Sequence, residues 1–101
     1  MSAVLLGDDL GIEAAAELKQ QLAAHLAQPQ PLALDAGAVQ RVHTACVQVL
    51  CTFFRERRQA GRDTGFAAAS TSLRDAARLL GVTEPLGLAH TDHQSAGAHA
   101  A

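Results

Sequence analysis

Between Leu32 and Arg58 the chain reads LALDAGAVQRVHTACVQVLCTFFRERR, and no other stretch limits the fold as tightly. It opens as a short apolar strand over Leu32–Leu34 that ends in Asp35. A small polar connection over 36–42 follows. A long, largely apolar helix then starts near Thr44 and runs to about Ala60. Gln28-Pro29-Gln30-Pro31 stands just before the strand and stops whatever helix precedes it, since proline fits no helix interior and disfavours α geometry before it. In α/β chains, strand ends meet helix N-termini whose first amides have no partner inside the helix. The residues at this junction, His43, Thr44 and Cys46, are therefore the first candidates for function.

The same alternation extends on both sides. Ala3–Leu6 reads as a first strand, broken by Gly7-Asp8-Asp9, with Asp8 or Asp9 able to accept from the opening amides of the next helix. That helix is expected over about Gly11–Gln28, because Ile12, Ala15, Leu18, Leu22 and Leu26 recur at spacings of three and four. In the central helix Val47, Leu50, Cys51, Phe53 and Phe54 form a wide apolar arc. Gln48, Thr52, Arg55 and Gln59 fall on one polar stripe, and Gly61 is placed to end the helix.

Thr64–Ala69 reads as a third strand, more from its place between a helix stop and a helix start than from its alanines. Ser70-Thr71-Ser72 provides a cap for a third helix, with Ser72 and Asp75 resembling a capping box, and the apolar face of that helix is Leu73, Ala76, Ala77 and Leu80. Gly81 ends that helix, and Val82, Leu86 and Leu88 form a last apolar clip. Three strands alternating with three helices predict an α/β fold with a small, mainly parallel sheet and right-handed crossovers. Residues 1–88 form the domain in this reading. The run AHTDHQSAGAHAA over 89–101 has no apolar periodicity and reads as a flexible tail.

At 101 residues the chain is one domain. With no Trp or Tyr and three Phe there is no stacking platform for single-stranded nucleic acid, and a formal charge of −2 argues against a general polyanion surface. No nucleic-acid partner is expected. The basic cluster Arg55, Arg57 and Arg58 reads as a solvated face near a helix C-terminus. Cys46 and Cys51 point about 140° apart on one helix, too far round to bridge each other, so buried free thiols in a reducing cytoplasm are expected. The N-terminal segment lacks the pattern of a signal peptide, and no window reaches the length of a membrane span, so direct membrane insertion is not expected.

These segments resemble the STAS domain, the fold of bacterial anti-sigma-factor antagonists, over about residues 3–88. VLLGDDLGIEAAAELKQQL is similar to the family's first strand and helix. LALDAGAVQRVHTACV is similar to its signature, a strand ending in Asp followed by a short loop and Asp-Ser/Thr-x-Gly-Leu opening a helix. Gly61 through SLRDAARLLGV resembles its last strand and helix. Two positions depart from the signature: His43 stands in place of Asp, and Cys46 in place of Gly. The resemblance implies a small sheet with helices packed mostly on one side. It also implies a non-enzymatic module, without cofactor, that binds partner proteins and is often switched by phosphorylation at the position of Thr44.

The Thr44-Ala45 pair is closer to the signature of a second branch, the small STAS subunit of the ABC transporter that maintains outer-membrane lipid asymmetry. The implied partners are therefore an ABC transporter ATPase, an anti-sigma kinase, or a chemotaxis or two-component protein. The expected docking residues are His43, Thr44 and the open stripe Gln48, Thr52 and Arg55. Thr44 also has a plainer reading as the helix N-cap.

Two chemical alternatives compete with docking. His43 and Cys46 could form a thiol enzyme or redox sensor if the helix start depressed the thiol pKa, although no third group orients the imidazole. The plainer expectation is that Cys46 fills a small position in the core. His90, His93 and His99 could hold a metal, but nothing around them preorganises a site. No Gly-rich phosphate loop follows any strand.

Overall fold

The computed structural model describes residues 3–88. The tail over 89–101, with His90, His93 and His99, lies outside the described residues. Strands β1 (Val4–Leu5), β3 (Leu32–Ala36) and β5 (Thr64–Ala69) form a sheet in the order β1-β3-β5, with both pairings parallel. Helices α1 (Ala15–Ala23), α2 (Thr44–Gln59) and α3 (Thr71–Leu80) complete the strand–helix alternation. Leu32, Leu34 and Ala36 of β3 point into one apolar cluster with Leu18 and Leu22 of α1 and Val47, Leu50, Phe53 and Phe54 of α2. On the opposite face of the sheet Ala33 is exposed and Leu5 is 70% exposed, so α1 and α2 cover a single face. Helix α3 lies against α2 and the segment Arg41–Val42.

A second, two-stranded parallel pairing joins β2 (Asp9–Leu10) to β4 (Arg41–Val42), where a plain polar connection was expected. Gln40 N–H donates to Asp8 O at 2.7 Å and His43 N–H donates to Leu10 O at 2.7 Å. Strands this short carry no periodicity to read; each exists only because the other lies beside it. The β3–β5 register also slips once. Leu34 faces Phe66 but Asp35 faces Ala68, leaving Ala67 as a bulge.

The first helix is shorter than its apolar spacing suggests. A 3-10 turn over Ile12–Ala14 leads into α1, and past Ala23 the chain continues in single turns, with His25 N–H on Leu22 O and Gln28 N–H on His25 O. Asp9 Oδ1 accepts from Gly11 N–H at 2.9 Å, one residue before the 3-10 turn, so the turn itself opens without the side-chain cap expected of Asp8 or Asp9.

Helices α2 and α3 stop alike. Gly61 and Gly81 take φ +77 and +71, conformations that cost glycine little. Arg62 N–H reaches Arg57 O, and Val82 N–H reaches Ala77 O, closing two Schellman turns. The start of α3 departs from expectation. Ser70, not Ser72, is the cap, its Oγ accepting from Leu73 N–H at 3.1 Å. Asp75 instead pairs with Arg78 at 3.0 Å. Beyond α3, Leu86 and Leu88 are buried and Val82 packs against the core, as the apolar clip requires.

Candidate functional site

The start of α2 is built by His43 and Cys46 from opposite sides. His43 has extended backbone angles, and its Nδ1 accepts from Ala45 N–H at 3.0 Å. The imidazole is thus the N-cap, a role that needs only a side-chain acceptor at this point. Thr44, also read from sequence as a cap, is instead the first helical residue, with its side chain exposed. Cys46 lies beneath, fully buried, its Sγ donating to Gly11 O at 3.4 Å.

Burial pushes the Cys46 thiol above its ordinary value, and the Asp9 carboxylate adds to the shift. Cys51, half-buried, is raised in the same way, with Arg55 pulling modestly back. The activated thiol that His43 and Cys46 suggested is therefore absent: the imidazole nitrogen is engaged with backbone, and the sulfur is a neutral core group.

Helices α1 and α2 run side by side in the same direction. Their entrances meet where Cys46 reaches Gly11, and their exits meet where Arg57 reaches the carbonyls after α1. Between them lies an open groove of about 330 Å³. Leu22 and Ala23 of α1, Leu26 in the turns after it, and Ala45, Val49 and Phe53 of α2 form its apolar lining. Lys19, Gln48, Thr52 and Glu56 add polar groups. Of the expected docking residues, Gln48 and Thr52 line this groove. His43 and Thr44 stand exposed at its entrance end, next to Ala45, and Arg55 is exposed elsewhere on the stripe. The contribution of α1 was not foreseen, because groove-facing and core-facing leucines share one helical period.

Arg57 corrects the reading of the basic cluster as a solvated face. It is completely buried. Its Nε donates to Thr64 Oγ1 at 2.6 Å, its Nη1 to His25 O at 2.9 Å and Gln28 O at 2.8 Å, and its Nη2 to Gln30 O at 3.0 Å and Asp63 O at 2.8 Å. Burial, then nearby Arg62, pulls the guanidinium down from its ordinary pKa, and Asp63 opposes this. A buried cation is tolerated when its donors are matched, and here carbonyls of the turns between α1 and β3, with that of Asp63, do the matching. The contact ties the α1–β3 connection to α2 and sets the spacing of the groove at its far end. One signal was in the sequence: Arg57 stands seven after Leu50 and four after Phe53, on the apolar arc of α2, whereas Arg55 lies on the polar stripe; residues 25–30 supply what receives it.

A three-stranded parallel sheet with α1 and α2 on one face, and an exposed hydroxyl at the start of its central helix, make this a small α/β domain. A family model described as "Mlab, STAS domain" matches residues 2–89. The chain belongs to the STAS domain family. No curated protein and no solved structure matches the chain. Among the described residues no helix is long and apolar enough to cross a membrane.

Proposed function

We propose that this STAS domain is a non-enzymatic docking module that binds a partner protein through the entrance of α2 and the groove beside it. The observation that carries the reading is the continuity of exposed Thr44 with an apolar groove bordered by Gln48 and Thr52. Interfaces are anchored by apolar side chains seated in pockets and oriented by a polar rim, and this surface offers both. His43, Thr44, Gln48, Thr52 and Arg55 are the proposed contact residues. The Thr44-Ala45 pair favours an ABC transporter ATPase as the partner. Two unpaired thiols, Cys46 and Cys51, fit a reducing, cytoplasmic setting.

A second reading, the phospho-switched antagonist of an anti-sigma kinase, draws on the exposure of Thr44 at a helix start. A phosphate there would add about −1.5 to −2 charges beside amides that favour anions. The fold would tolerate it, while a partner surface of matching sign would be repelled.

Both readings are tested by retention of a purified transporter ATPase, or of a serine kinase anti-sigma factor, on the immobilised domain. Thr44→Ala should retain the partner and Thr44→Glu should lose it, with the stability of both variants within about 0.5 kcal/mol of wild type. If Thr44→Glu still captures the partner that wild type binds, the docking site lies elsewhere.

A further inference from the structure

We infer that His43 is a proton-sensitive cap on the docking end of α2: its neutral imidazole holds the first turn, and its protonated form releases it. The contact is direct. Nδ1 accepts from Ala45 N–H at 3.0 Å while the residue's own N–H is held by Leu10 O at 2.7 Å. An imidazole that accepts at Nδ1 carries its proton on Nε2 and is uncharged. A second proton places N–H groups at both nitrogens, so no lone pair remains for Ala45. The resulting cation also sits at a helix N-terminus, where the partial positive charge of the aligned peptides disfavours it. The ring is exposed, so protons reach it without any opening of the fold.

The charged groups carried by the elements around His43 are of both signs. Asp9 on β2 and Arg41 on β4 lie 3.9 Å apart. Asp8 precedes β2, Glu13 is on the 3-10 turn, and Arg74, Asp75 and Arg78 are on α3, which packs on β4. The Cys46 thiol stays neutral, raised by burial. The cap rests on the hydrogen bond from Ala45 N–H to the ring. Capping is therefore present while the ring is neutral and lost once it takes up a second proton. Aspartate or serine at this point would cap over a wider range; histidine makes the cap conditional. Thr44 and Ala45, the two residues after the cap, belong to the proposed docking surface, so acidification would loosen that surface and weaken capture of the partner. This last consequence rests on the proposed function, whereas the cap stands without it.

The test uses the full chain, free of partner and labelled with 15N. At pH 7.5, long-range proton–nitrogen correlation should find His43 protonated at Nε2 and bare at Nδ1. Between pH 7.5 and 5.0, exchange of the Ala45 amide, corrected for its intrinsic pH dependence, should rise about fivefold, the loss expected from a missing cap. His43→Asn, which caps without titrating, should abolish the rise and keep Ala45 protected. His43→Ala should show fast exchange at every pH. An Nδ1–H tautomer at neutral pH, or an equal rise in His43→Asn, overturns the inference. Partner capture measured at both pH values in wild type and His43→Asn then tests the docking consequence separately.

Discussion

The Arg57 guanidinium and the Thr64 hydroxyl meet at 2.6 Å beneath the turn that joins α1 to β3, with Arg57 wholly buried. The contact links the last turns of α2 to the first residue of β5. Four carbonyls, those of His25, Gln28, Gln30 and Asp63, complete the shell around the guanidinium at 2.8–3.0 Å. Removing the side chain would take this donor from the part-buried Gln28 and Gln30 carbonyls and the Thr64 hydroxyl, while His25 O keeps Gln28 N–H and Asp63 O keeps Leu32 N–H. Arg57→Ala should therefore destabilise the fold by about 3 kcal/mol or more, and Arg57→Lys by nearly as much, because an ammonium cannot span the same acceptors. Thr64→Val should cost about 1 kcal/mol. Urea denaturation measures all three, and a loss below about 1 kcal/mol for Arg57→Ala would show that the carbonyls find other donors.

Thr52 lines the groove yet is exposed on α2. A long charged side chain there should fill the groove without touching the core. Thr52→Arg is expected to abolish partner capture while the unfolding midpoint stays close to wild type, since exposed substitutions usually move stability by no more than about 0.5 kcal/mol. Intact binding by a stably folded Thr52→Arg protein would move the interface away from the groove.

Cys46 and Cys51 both have thiols raised by burial. In the folded protein Cys46 should react with iodoacetamide far more slowly than a free thiol at pH 8, and denaturant should release it. The linkage has a definite sign. A folded-state pKa above the unfolded value favours the protonated form, so the contribution is whole below the ordinary thiol value of 9.0 and is lost as pH rises through the folded pKa. Stability should thus fall above pH 9 more steeply in wild type than in Cys46→Ala. Rapid alkylation of native Cys46 would instead revive a reactive-thiol role.

Two serines compete as the cap of α3, and Ser70 holds it. Ser70→Ala should cost about 1 kcal/mol and Ser72→Ala only a few tenths. Gly81→Ala should cost on the order of 1 kcal/mol, because φ is +71 at that position. Thermal unfolding of the three variants would rank them, and a larger effect at Ser72 would shift the helix start by two residues.

Much of this arrangement was legible in the residues alone. The strands at Leu32 and Thr64, the helix opening at Thr44 and the stops at Gly61 and Gly81 follow from local chemistry: apolar runs, helical spacing, and glycine where the chain must turn left-handed. Exposure of Gln48, Thr52 and Arg55 followed from the same spacing. The β2–β4 pairing did not, because two-residue strands have no period and form only when brought together. The choice of Ser70 over Ser72 was open, since both hydroxyls stand within reach of a first turn and the path of β5 selects between them. The groove wall on α1 and the acceptors that receive Arg57 lay beyond the sequence for a related reason, although Arg57 does fall on the apolar arc of Leu50 and Phe53. A leucine stripe does not say which leucines face a neighbouring helix, and an arginine reads as exposed until distant carbonyls converge on it. Local residue chemistry set the elements and their ends; the through-space meeting of α1, α2 and the loop between α1 and β3 made the groove and buried the charge.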